Sequence, residues 1–229
     1  MSEIIKRDNI RAIILDMDGV LVNSEPIQME AFRCYLEKYD IPYTEELLRS
    51  FIGVSVEENL KTIQASLPDF QRRSLKESIT ERNAIYIEQL EKQPLTVMPG
   101  IDDIINCCLQ NKILLGLATS SPFEQVNAVL TKLQGTFTGR YMQLFNAISH
   151  GGEVTNKKPA PDIYHLICKK LNVKSDSAVS VEDSPAGVQS ARRAGLIAIG
   201  IPNSYYSRQD LAAAHIIVDS AKEILFMMR

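Results

Sequence analysis

Short aliphatic and β-branched runs punctuate the chain: AIIL (12–15), ILLGLA (113–118), NAIS (146–149), AVSVE (178–182), LIAIGI (196–201) and HIIV (215–218). Most are apolar without alternation, the pattern of strands covered on both faces. Helical periodicity separates them. Ile101, Ile104, Ile105, Cys108 and Leu109 recur at helical spacing after a Pro-Gly turn, with Asp102 and Asp103 in the first turn where the helix dipole favours acids. Ser121, Pro122 and Glu124 supply an N-cap, an N1 proline and a capping-box acid for the next helix. Ser184 and Pro185 open another, which Gly195 stops. Strand and helix in alternation predict right-handed crossovers and an open parallel sheet with helices on both faces.

From residue 24 to residue 95 the strand pattern gives way to helices. Phe32, Tyr35, Leu36 and Tyr39 share one face, Val56, Leu60, Ile63 and Leu67 a second, and Leu75, Ile79, Tyr86 and Leu90 a third. The expected organisation is an α/β protein: a Rossmann-like parallel-sheet core from residues 1–23 and 96–229, interrupted by an inserted helical cap domain over 24–95. The insertion leaves the sheet just after the first strand and returns near QPLTVMPG, so both connections are expected beside the first strand's loop. A module so placed suits a lid.

Composition narrows the function. With 229 residues, 45% hydrophobic, 23% charged and a net charge of −3, the chain suits a soluble globular protein with no basic footprint for nucleic acid. Its N-terminal stretch is polar and its first apolar run short, so neither a membrane span nor a signal sequence is expected, and a cytoplasmic protein is inferred. Cys34, Cys107, Cys108 and Cys168 show no metal or disulfide spacing and read as reduced thiols.

Ligands of an open parallel sheet bind beyond the carboxyl ends of its strands. After the first strand come Asp16 and Asp18; after the second, Thr119, Ser120 and Ser121; after the third, a loop leading to Lys158; after the fourth, Glu182 and Asp183. Taken singly, each has an ordinary reading as a turn, cap or solvated charge. Together they place acids, hydroxyls and a cation at one edge. Crowded carboxylates repel, by about 4 kcal/mol for two charges 4 Å apart at an effective dielectric near 20. Mg²⁺, a hard cation taking carboxylate, water and phosphate oxygens, relieves that repulsion and points to phosphoryl transfer. In that chemistry Asp16 is the candidate nucleophile and metal ligand, Asp18 the acid and base, and Glu182 and Asp183 complete the metal shell. Thr119, Ser120 and Lys158 would neutralise phosphoryl oxygens.

DMDGVLVNSE, LATSSP, KKPAPDIY and SVEDSPAG, in this order and spacing, resemble the four motifs of the haloacid dehalogenase superfamily, in its helical-cap subgroup. The resemblance implies a modified Rossmann core, a mobile cap and Mg²⁺-dependent transfer through an aspartyl phosphate on Asp16. It also implies that Asp18 adds its backbone carbonyl to the metal. Dehalogenases proper generally lack the second acid of the first motif, so Asp18 favours phosphate chemistry. The subgroup's β-phosphoglucomutase-type enzymes have a histidine where this chain has Gln28, and basic residues where it has Ile52 and Val56; Lys61 or Arg82 could substitute. A phosphatase is therefore expected ahead of a phosphosugar mutase. Of the two adjacent lysines, Lys158, next to Pro159, is the expected phosphate ligand. The substrate expected is a small phosphorylated metabolite, a sugar phosphate suiting the polar Glu25 and Gln28 of the cap, and the protein a monomer or weak dimer. A receiver-like regulatory module is the alternative of another class, disfavoured by the order of its acids and by the helical insertion.

Overall fold

A computed structural model describes residues 9–66, 73–133 and 141–227. The chain divides into two compact units, residues 1–23 with 96–229 and Ser24–Leu95.

The first unit is built on six strands, β1 (Ala12–Leu15), β2 (Leu114–Ala118), β3 (Ala147–Ser149), β4 (Ala178–Glu182), β5 (Ile197–Gly200) and β6 (Ile216–Ile217). They lie in the order β3-β2-β1-β4-β5-β6, every neighbouring pair parallel. This is the doubly wound arrangement, whose strand order reverses at β1. β1 is buried along its whole length, as its unbroken apolar run requires of a central strand. Ala12 pairs with Leu114 on one side and Ala178 on the other, so the ends of β1, β2 and β4 finish level.

The surrounding helices of this unit are Ile101–Asn111, Phe123–Leu133, Tyr141–Leu144, Asp162–Leu171, Pro185–Arg193 and Ala221–Met227. Ile163, Tyr164, Ile167 and Cys168 from Asp162–Leu171, with Val188 and Ala191 from Pro185–Arg193, form one core cluster with Ile14, Ala118 and Ala178 of the sheet. Ser184 caps Pro185–Arg193 by accepting from the Gly187 N–H, and Gly195 stands just beyond its end at φ +83°. In Ile101–Asn111 the buried arc runs Ile101, Ile104, Ile105 and Cys108. Leu109, expected on that stripe, is exposed, because it sits one position further round the helix than the arc reaches. The four cysteines are free thiols. No helix among the described residues is long and apolar enough to cross a membrane.

Where the chain leaves and rejoins this unit, Val22 and Val97 form an antiparallel bridge. The Asn23 N–H donates to Thr96 O and the Met98 N–H to Leu21 O, each at 3.0 Å.

The second unit is helical: α1 (Glu25–Lys38), α2 (Glu45–Ser50), α3 (Val56–Ser66) and α4 (Leu75–Lys92). Phe32, Tyr35, Leu36, Leu48, Phe51, Leu60 and Ile63 form its core, with Tyr39, Val56, Leu75 and Ile79 packed against them. Tyr86 and Leu90 are buried as well. Leu67, assigned to the second apolar face from the sequence, lies outside the described residues. Thr44 and Ser74 cap α2 and α4 through their hydroxyls, in keeping with the preference for such side chains at helix starts.

Candidate active site

The site begins where β1 ends. The Asp16 N–H donates to Val181 O at 3.0 Å, so the ladder with β4 continues one residue past the strand. The chain then curls back: Leu21 and Val22 both donate to Met17 O, and the Gly19 N–H donates to Val22 O at 2.8 Å. Gly19 has φ +75°, a conformation open to glycine at no steric cost. The turn holds Asp16 and Asp18 at the carboxyl edge beside the strand-order reversal.

Lys158 reaches that edge from the loop before the helix Asp162–Leu171. Its Nζ donates to Asp16 Oδ1 at 2.8 Å, Glu182 Oε1 at 2.6 Å and Ala118 O at 3.0 Å. An ammonium has three hydrogens, and each here has an acceptor. The lysine side chain is 6% exposed and that of Glu182 0%, so these are desolvated ion pairs. Lys157, its neighbour, donates instead to Gly151 O. The Tyr164 hydroxyl donates to the same Glu182 Oε1, and Lys158 Nζ stands 5.4 Å from the tyrosine ring centroid.

Burial pushes the Asp16 carboxyl up to about 7, against the pull of Lys158 and with the Glu182 charge adding to the rise. Lys158 is pushed above the ordinary lysine range: burial opposes its charge, but Asp16 and Glu182 outweigh it. One lysine thus does not offset the desolvation of Asp16. A further positive charge would.

The donor set fits one. Asp16, Glu182 and Asp183 each offer an oxygen, all within 4.8 Å of one another, and all three residues are buried. Among the described residues no hydrogen-bond partner reaches the buried Glu182 Oε2, a carboxylate oxygen that carries a desolvation penalty as it stands. An all-oxygen carboxylate set suits Mg²⁺ rather than a thiolate- or imidazole-seeking metal. Gly187 makes room for Glu182, because a Cβ at that position would lie 1.8 Å from Oε2. The Asn203 amide nitrogen donates to Asp183 Oδ2 at 2.7 Å.

Asp18 Oδ2 accepts from the Ser121 hydroxyl at 2.8 Å. Ser121, read from the sequence as a helix cap, therefore has its hydroxyl proton committed to Asp18, and the helix itself starts later, at Phe123. Thr119 is buried, its Oγ1 accepting from the Ser121 N–H at 3.0 Å. Ser120 is exposed. The other two candidates, Glu25 and Gln28, belong to the helical unit. Glu25 is buried there. Gln28 is half-buried, and its Oε1 and backbone oxygen accept from Arg82 Nη2 at 2.6 and 3.0 Å. Arg82 also stacks 4.1 Å over Phe32, while Lys61 pairs with Glu57 at 2.6 Å.

Sequence reasoning missed Tyr164, Asn203 and the role of Ser121. Tyr164 shares a helical face with Ile163 and Ile167 and reads as core. Asn203 follows β5, and extending the inventory of strand-end loops to that strand brings it in.

A model described as haloacid dehalogenase-like hydrolase matches residues 13–201. The chain belongs to this family of hydrolases. A "Phosphorylated carbohydrates phosphatase" of Thermotoga maritima is 35% identical over 193 residues, 82% of each chain. A "Beta-phosphoglucomutase" of Bacillus subtilis is 26% identical over 94% of this chain and 92% of its own. The crystal structure of CbbY from Rhodobacter sphaeroides in complex with phosphate has a TM-score of 0.81 at 26% identity, covering 94% of this chain and 96% of that one.

Proposed function

We propose that the protein is a Mg²⁺-dependent phosphatase that hydrolyses a small phosphorylated metabolite, a sugar phosphate by its relatives' chemistry, through an aspartyl phosphate on Asp16. The observation that carries this reading is the junction of Asp16 and Glu182 through Lys158, with Asp183 completing a buried acidic triad. Asp16, Glu182 and Asp183 would hold Mg²⁺, with the Asp18 carbonyl joining them by the family pattern. When bound, the ion supplies charge neutralisation for the transferring phosphoryl group and keeps the acids ionised.

An Asp16 oxygen attacks phosphorus, and the bond from phosphorus to the leaving alcohol oxygen breaks. Asp18 donates a proton to that oxygen. It then takes a proton from water, which attacks the aspartyl phosphate, breaks the phosphorus–Asp16 bond and releases phosphate. One hard displacement becomes two easier ones. Ser121 orients Asp18 for both transfers. Thr119 and Ser120 bind phosphoryl oxygens, and Lys158 does so by turning one of its three N–H groups away from its acceptor in the free protein. Glu25 and Gln28, which follow the acidic loop directly in sequence, are the specificity candidates of the helical cap.

The relative "Phosphorylated carbohydrates phosphatase" supports a sugar-phosphate substrate. A mutase needs cations for a second phosphate. Arg82 is engaged with Gln28 and Phe32 and Lys61 with Glu57, which supports the phosphatase over the mutase. The test is a panel of sugar phosphates, nucleotides and other phosphomonoesters, each with Mg²⁺ and with EDTA, scored for released phosphate. A further arm holds β-glucose 1-phosphate and a bisphosphate primer. Repeated Mg²⁺-dependent phosphate release is expected. Isomerisation without net release would make the protein a mutase, and release of a single equivalent would remove it from the enzymes.

A further inference from the structure

Asn203 sits in the loop after β5, outside the four family motifs. Its Nδ2 donates to Asp183 Oδ2 at 2.7 Å. Its Oδ1 accepts from the N–H groups of Tyr205 and Tyr206, both at 2.8 Å, and its own N–H donates to Tyr206 O at 3.0 Å. Two backbone donors on one oxygen fix which end of the amide is which. The carbonyl end belongs to the loop, so the NH₂ end must face the carboxylate. The loop is braced at both ends: the Ile201 N–H donates to Glu182 O at 2.8 Å, and Tyr206 packs against the core cluster of the sheet and its helices. Asn203 is therefore a short, stiff link from the core to one acid of the triad.

We propose that Asn203 is a positioning residue for the cation site, holding the Asp183 carboxylate in a single rotation so that a divalent ion meets it already oriented. The proposal rests on the reading that Asp16, Glu182 and Asp183 hold that ion. A carboxylate bound at one oxygen has lost its freedom to turn before the ion arrives, and groups that orient metal ligands in this way typically affect affinity by about 10–100-fold.

The test is Mn²⁺ affinity of the full chain without substrate, read as free Mn²⁺ by electron paramagnetic resonance, alongside thermal melting. Asn203→Ala removes both functions of the amide. Asn203→Ser keeps a side-chain oxygen able to accept from the backbone N–H two residues on but is too short to reach Asp183; Asn203→Thr offers the same hydroxyl if the serine variant does not fold. The expected result is a dissociation constant raised about tenfold or more in both the Ala and the Ser (or Thr) variants, with the hydroxyl variant melting near wild type. Asp183→Asn is the reference. If it weakens Mn²⁺ binding while the hydroxyl variant binds as wild type, Asn203 serves the loop alone and the inference is overturned. If Asp183→Asn also binds as tightly as wild type, the reading of the acidic triad as the cation site fails instead.

Discussion

Replacing Lys158 with methionine keeps the aliphatic stem and deletes the charge that joins Asp16 to Glu182. Three acceptors each lose a donor at once, two of them on buried carboxylates, and Glu182 Oε1 keeps Tyr164. Within the 4.8 Å that bounds the ligand oxygens of the acidic triad, two unit charges repel by no less than about 3.5 kcal/mol at an effective dielectric near 20. Removing one partner of a buried ion pair generally costs about 3–5 kcal/mol. At about 2–4 °C per kcal/mol for a domain of this size, Lys158→Met should melt roughly 6–20 °C below wild type in EDTA. Mg²⁺ should restore part of the loss, since an ion present at about 100 times its dissociation constant contributes about 2.7 kcal/mol. The assay is differential scanning calorimetry of both proteins in EDTA and in Mg²⁺. A variant melting within about 2 °C of wild type in EDTA would refute the ionic account of this core.

Gly187→Ala should lower the urea midpoint by the equivalent of about 1–3 kcal/mol, because its Cβ would displace the Glu182 carboxylate; a midpoint equal to wild type would show that Glu182 has room to move. His215 Nδ1 accepts from the Ala198 N–H at 3.0 Å, and its pKa is lowered from 6.5 by burial and then by Arg192. A depressed pKa stabilises the fold above 6.5 and withdraws that contribution as pH falls. Melting temperatures measured from pH 7.5 to pH 5 should therefore decline less in His215→Asn, and parallel curves would remove the histidine from the account.

The sheet was legible in the sequence because β1 is buried on both faces and its residues could not alternate. The acids were legible because each lies at the carboxyl end of a strand or within three residues past it, where parallel topology sends it to one edge. Side chains whose partners come from distant elements were not. Tyr164 carries a hydroxyl on an apolar helix face, and only the packing of that helix against β2 and β3 aims it at Glu182. Ser121 stands before a proline in a cap-like pattern, which hides its bond to Asp18 across 103 positions of sequence. Leu109 falls about 40° beyond Ile105 around the helix and off the buried arc, a displacement that apolar spacing does not resolve.

The central claim is that an oxygen of Asp16 becomes phosphorylated. Its most direct measurement is peptide mass spectrometry of protein quenched in acid during turnover of a hydrolysed phosphomonoester with Mg²⁺. The account predicts a phosphoryl adduct on Asp16 in the wild type, absent from Asp16→Asn protein that has also lost turnover. Undiminished turnover by Asp16→Asn, with no adduct in either protein, would contradict it.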